Sequence, residues 1–162
     1  MAQRPLHFPT LSPGAACPTS PEESVEASFG IAQGNGPVYV ISATEHSPAR
    51  LGYADAQHFG GVRTDKDQGW GGQKVLWFAN PNYQGQVLVR GQQLDGSHKM
   101  RFDGGLGDLS FTPQLVLDTT LGGSPWPSFP SFTRLEAPGC YAYQVDGKTF
   151  SYTIVFEAFV QN

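Results

Sequence analysis

The chain is short of charge, of cysteine and of helix-forming pattern, and each shortage removes a class of answer. Only 15% of its 162 residues are charged, the net charge is −4, and the 10 Lys and Arg are scattered from Arg4 to Lys148 without a run. Phosphate-backbone binding needs a basic patch that can release counterions, so nucleic acid is not expected as a partner. Anionic membrane surfaces are disfavoured on the same ground. No stretch approaches the roughly 18 to 20 apolar residues that cross a bilayer, so no membrane span is expected. The two cysteines, Cys17 and Cys140, have no neighbouring His or Cys and do not build a structural zinc site. No cofactor is expected.

Glycine and proline are plentiful instead: 20 Gly and 13 Pro punctuate the whole length. The apolar residues are rich in Val, Phe and Tyr rather than Ala and Leu, the profile of short strands joined by many turns. At this size the chain fits one domain that buries roughly 70% of the surface its unfolded form exposes. Residues 1–36, with Pro5, Pro9, Pro13, Pro18, Pro21, Gly30, Gly34 and Gly36, show no sustained periodicity and read as an extended arm. A short strand over Val25 to Ile31 is its one candidate element. Residues 37–162 read as a β-sandwich.

From Pro37 onward, apolar runs recur between turn signals. Strands are expected at Val38 to Ile41, Lys74 to Ala79, Gln86 to Arg90, His98 to Phe102, Gln114 to Leu117 and Phe132 to Glu136. The intervening stretch from Ser47 to Gly72 reads as a long irregular loop. Asp146-Gly147 marks a tight hairpin between Cys140 to Val145 and Thr149 to Val160. Alternation puts Phe150, Tyr152, Ile154, Phe156, Ala158 and Val160 on the core side, with Tyr141, Tyr143 and Val145 matching them. Cys140 then points away from the core, toward whatever packs outside, and an arm carrying Cys17 is the obvious candidate. Two cysteines so far apart read as one disulfide in an oxidising compartment, or as two inert thiols otherwise. Prolines interrupt any apolar signal segment near the start. Gly14-Ala15-Ala16-Cys17 has the small residues of a lipoprotein cleavage site but lacks the apolar run and the Leu before it. The expected location is extracytoplasmic, with no export signal visible in this chain.

The run Ala137-Pro138-Gly139-Cys140-Tyr141-Ala142-Tyr143-Gln144-Val145-Asp146-Gly147 resembles the penultimate strand and last turn of bacterial immunoglobulin-like domains. Lys74 to Trp77, Gln86 to Arg90 with Leu94-Asp95-Gly96, and Trp126 to Leu135 are similar to secreted or lipid-anchored bacterial proteins without a characterised activity. The resemblance covers about the last 90 residues and implies an immunoglobulin-like antiparallel sandwich of about seven to nine strands. Cys17 and Cys140 depart from the antibody pattern, in which two core strands are bridged across a Trp. Any bridge here would staple the arm to the sandwich.

Catalytic patterns are thin. There is no Gly-x-Ser-x-Gly elbow. Asp65 and Asp67 are close, and Asp103 and Asp108 flank a Gly-rich turn, but acids beside Gly are usually solvated turn formers. Asp65-Lys66-Asp67-Gln68-Gly69 begins like a calcium loop, yet Leu76 stands where the closing acid belongs, so Asp65 and Asp67 are an incomplete calcium candidate. His46, His58 and His98 show no tight ligand spacing. Gly104-Gly105-Leu106-Gly107 lacks the strand and helix of a dinucleotide fingerprint and reads as a turn. Trp70 and Trp126 sit in loops, flanked by Gly and by Pro; rings so placed more often fold back to cap the open ends of a sandwich, and otherwise they are, with Phe129, the ligand-binding candidates. Trp77, inside an apolar strand, is expected in the core.

The expected function is therefore a noncatalytic binding or assembly module with a protein or cell-surface partner. Carbohydrate binding through the loop Trp residues is the first alternative. A hydrolase with a site built from Asp65, Asp67 and loop histidines is the second. Self-assembly by an arm that leaves its own domain to extend a neighbour's sheet is a further possibility.

Overall fold

The computed structural model describes residues 4–43, 47–61, 68–104 and 111–161. Within them the chain forms strands and no helix. In order these are β1 (Glu22–Ser24), β2 (Ile31–Gln33), β3 (Val38–Ser42), β4 (Arg50–Tyr53), β5 (Gly71–Ala79) and β6 (Gln86–Gln93). There follow β7 (Arg101–Gly104), β8 (Leu115–Asp118), β9 (Ser128–Leu135), β10 (Gly139–Asp146) and β11 (Ser151–Val160). One sheet has the order β1-β2-β3-β5-β9-β7 and the other β4-β11-β10-β6-β8.

The all-β, two-sheet architecture agrees with the composition. Two details of the expectation need correction. Eleven strands form among the described residues rather than seven to nine, and the five-stranded sheet is mixed, because β4 runs parallel to β11. Both corrections have a local cause. β1 and β2 lie inside the segment read as arm, and β4 lies inside the segment read as irregular loop. Each has only three or four residues and too little alternation to show in sequence.

The sheets pack face to face through side chains of alternate residues. Val40, Trp77, Phe102 and Leu135 from the first sheet meet Val89, Leu115, Tyr143, Ile154 and Phe156 from the second in one buried cluster. Trp77 meets Tyr143 edge to face at 5.1 Å, as expected of a core ring. A 2.7 Å hydrogen bond between the Thr133 and Tyr143 hydroxyls ties β9 to β10 through the core.

The final hairpin forms as the alternation requires, with Tyr141 opposite Phe156 and Tyr143 opposite Ile154. Its turn is one step later than expected. Asp146 stays in β10, paired with Ser151, and Gly147 closes the loop by donating to the Phe150 carbonyl at 3.0 Å. Asp146 is withheld from the turn because its carboxylate receives Arg90 at 2.7 Å, both side chains being almost wholly buried.

What buries that pair is the N-terminal arm. As far as Cys17 the arm crosses the outer face of the five-stranded sheet, and Ser20 then bonds Val155 at the edge of β11. Arg90 also donates to the Arg4 carbonyl at 2.7 Å, Gln144 donates to the Pro5 carbonyl at 3.0 Å, and the His7 amide donates to the Gln144 side chain at 2.6 Å. Farther along, Phe8, Leu11 and Cys17 pack on Cys140, Ala142, Val155 and Leu94. Cys17 and Cys140 are disulfide-bonded, with Cα atoms 5.4 Å apart. The outward direction of Cys140 and the arm as its partner are both as expected.

Candidate binding surface

The arm closes one outer face of the molecule. The outer face of the six-stranded sheet carries no such cover among the described residues, and its side chains are mostly apolar. Strand register sets them in rows: Ile41, Leu76 and Pro130 in one, Tyr39, Phe78 and Ser128 in the next toward one end, and Lys74, Phe132 and Asp103 toward the other. Ile41, Leu76 and Phe132 are half-buried, and Lys74 and Pro130 are exposed.

At one end of this face an aromatic cluster stands on Phe78. Phe29, from the turn between β1 and β2, stacks on it at 4.4 Å, Tyr39 stacks at 5.4 Å, and Trp126 meets it edge on at 5.9 Å. Phe78 is thereby fully buried although it points outward. Burial raises the Tyr39 phenol above its ordinary pKa, and the Glu23 carboxylate adds to the shift. Leu121, 67% exposed, lies in the same β8 to β9 loop as Trp126.

The other end is built on Arg134. This side chain is wholly buried, yet β9 directs it outward, where Phe59 lies 4.2 Å above the guanidinium and Phe111 5.6 Å from it. Its charge is met by Asp103 at 2.5 Å, itself 2% exposed. The remaining donors reach the Gly71 carbonyl at 2.9 Å and the Trp70 carbonyl at 3.2 Å. Gly72 permits the stack, since a Cβ there would lie 2.8 Å from the Phe59 ring and 2.9 Å from Arg134 Cδ. Trp70 then packs edge to face on Phe111 at 5.1 Å, with the Arg101 guanidinium 6.0 Å from its ring. Arg134 thus holds the backbone that presents Trp70.

Trp70 and Trp126, expected in loops, both lie half-buried at opposite ends of one face. Phe129 does not join them. It is 8% exposed and points into the core opposite Trp77, so its candidacy as a ligand contact is corrected to a packing role. Asp103 is likewise corrected from solvated turn former to buried ion-pair partner. The calcium candidates Asp65 and Asp67, with His46, Asp108 and the Gly105-Leu106-Gly107 part of the Gly-rich turn, lie outside the described residues.

Of His46, His58 and His98, the two that lie among the described residues have separate carboxylate partners. His58 Nδ1 lies 2.7 Å from Asp55, and His98 Nδ1 lies 3.3 Å from Glu136. Asp55 is held below its ordinary pKa, chiefly by the His58 side chain. It also accepts the backbone amides of Gln57 and His58, which is the behaviour of a turn cap. Among the described residues no three His, Cys, Asp or Glu side chains converge as a metal site. Neither a protein-family model nor a curated protein sequence matches the chain.

Proposed function

We propose that the chain is a noncatalytic, extracytoplasmic binding module of immunoglobulin-like architecture that engages a protein or cell-surface partner through the outer face of its six-stranded sheet. The observation that carries this reading is the difference between the two outer faces. One is closed by a covalently tied arm, and the other leaves Ile41, Leu76, Pro130 and Phe132 in adjoining positions between two aromatic clusters. Aromatic anchors flanking a shallow apolar centre are what protein interfaces use for affinity. An aliphatic centre suits a protein better than a sugar ring.

The immunoglobulin-like assignment is supported by Tyr141. Its hydroxyl donates to the Ala137 carbonyl at 2.8 Å, four residues upstream at the corner that begins β10, as in a tyrosine corner. An extracytoplasmic location is supported by the Cys17 to Cys140 bridge, because such bonds persist where the surroundings are oxidising.

The test is site-specific photo-crosslinking in the cells that make the protein, with the reactive group at position 76 and, as control, at position 148 on the far hairpin. Adducts at 76 alone support the reading. Adducts at both positions, or at neither, overturn it. Glycan-array binding lost in Trp126→Ala would replace it with carbohydrate recognition, and turnover abolished by Asp67→Ala would replace it with an enzyme.

A further inference from the structure

A second surface lies at the lateral seam between the sheets, away from the proposed binding face. β11 has eight partners on its β10 side, Ser151 to Ala158, but β4 covers its other edge only from Glu157 to Val160. The next outward position, Val155, is satisfied locally: its amide donates to Ser20 Oγ at 2.9 Å and its carbonyl accepts the Ser20 amide at 2.9 Å. Strand alternation then turns the amide and carbonyl of Thr153 outward, on the same side as those of Val155 and Glu157. No described residue pairs with them. They open into a groove of about 720 Å³ lined by Ser20, Pro21, Glu22, Glu23, Gly34 and Tyr152, among others.

The groove has a shape and a sign. Gly34 forms part of its wall in a conformation, φ +151°, that leaves no room for a side chain, since a Cβ would sit 2.5 Å from the Val38 carbonyl oxygen. Tyr152 is fixed by donating its hydroxyl to the same carbonyl. Across from the free edge stands the carboxylate of Glu22, one oxygen of which accepts the Ala49 amide at 3.1 Å; its neighbour Glu23 turns to the other face of β1, toward Tyr39. Glu22 is exposed and has no ion-pair partner among the described residues, and no Lys, Arg or His lines the groove. An uncovered strand edge is a template for another strand, and charge decides which strands it admits.

We propose that this seam binds a short extended segment of a partner protein that carries a Lys or Arg facing Glu22. Its main chain pairs with Thr153, and a cationic side chain on the seam side reaches Glu22. The chain's own arm is not the occupant, because it is committed to the sheet face by Arg4, Pro5, His7 and the Cys17 bridge. Volume also fits, as the groove lies within the roughly 300 to 1,000 Å³ of ordinary ligand sites.

The experiment is a titration of the full, oxidised chain followed by backbone amide NMR. The probes are a capped hexapeptide of alternating Lys and Val, its Glu and Val counterpart, and the Lys peptide with alternate amides N-methylated. The expected result is a shift of the Thr153 amide with the Lys peptide alone, weakened about tenfold in Glu22→Gln by loss of the charge contact and unchanged in Glu23→Gln, whose side chain faces Tyr39. Thr153→Pro removes the outward amide without touching the β10 ladder and abolishes the shift. Should that variant fail to fold, the charge variant and the N-methylated probe decide the matter. An unmoved Thr153 amide, equal binding of the Glu peptide, or a Thr153 shift that depends on protein concentration without peptide would each overturn the proposal, the last by showing a second copy in the groove.

Discussion

Arg134 and Asp103 show most clearly how single residues organise this molecule. Both are removed from water, and the pair is satisfied by carbonyls and two aromatic rings rather than by solvent. Deleting one partner strands the other charge, so Asp103→Ala should destabilise the fold by about 3 to 5 kcal/mol in denaturant titration. Tryptophan fluorescence should change as well, because the Trp70 backbone is held by Arg134. Four tyrosines set the alkaline limit. Burial, with help from the Asp55 charge, pushes Tyr53 up to about 12 from 10.0, and burial also raises Tyr141, Tyr143 and Tyr152. A raised folded-state pKa means the contribution is complete below pH 10 and is lost as pH climbs through 12, because the unfolded chain gives up its phenolic protons first. Stability measured against pH should therefore be flat across pH 8 to 10 as far as tyrosine is concerned, and then fall. A fall centred below pH 9 without another titrating group would contradict this.

At the scale of elements, the arm is the decisive one. Its bridge spans a sequence separation of 123 residues, and closing so long a loop stabilises by up to about 5 kcal/mol in the chain-entropy model. Cys17→Ser/Cys140→Ser should lower stability by less than that, since Arg4, Pro5 and His7 still hold the face. Hydrogen exchange should rise first over residues 4–20. A double variant with unchanged exchange there would mean that the bridge is not what holds the arm. The hairpin was readable in the sequence because ten residues of β11 keep a period of two, and Trp77 was readable because its strand is apolar on both sides of it. β4 was not, since three of its four residues are buried while its own pattern of Arg, Leu, Gly and Tyr carries no alternation. Val155 was the overlooked signal for the arm: an apolar residue on the polar side of β11 needs a cover, and Leu11 and Phe8 belong to that cover. The Arg134 to Asp103 pair was hidden for a different reason. Its members are far apart in sequence, and Asp103 beside Gly104 has the appearance of a turn.

For the whole molecule, the two sheets have the same inner chemistry and opposite outer fates. The five-stranded sheet exchanges its outer surface for a bonded arm, whereas the six-stranded sheet keeps half-buried aliphatics between Trp70 and Trp126. If that surface binds a partner, Leu76→Asp should weaken the complex by about 2 kcal/mol or more, as loss of a central interface contact does. The free chain's thermal midpoint should move little, because Leu76 is only half-buried and faces outward. A large drop in that midpoint would make Leu76 a packing residue and remove the argument for the face. The asymmetry itself is tested most directly by carbene footprinting of the oxidised chain, read residue by residue in mass spectrometry. The account predicts labelling at Leu76, Pro130 and Trp126 and protection at Ala142 and Val155, with the second pair becoming labelled once the Cys17 to Cys140 bridge is reduced. Protection of Leu76 and Pro130 in the free chain, together with labelling of Ala142 before reduction, would contradict it.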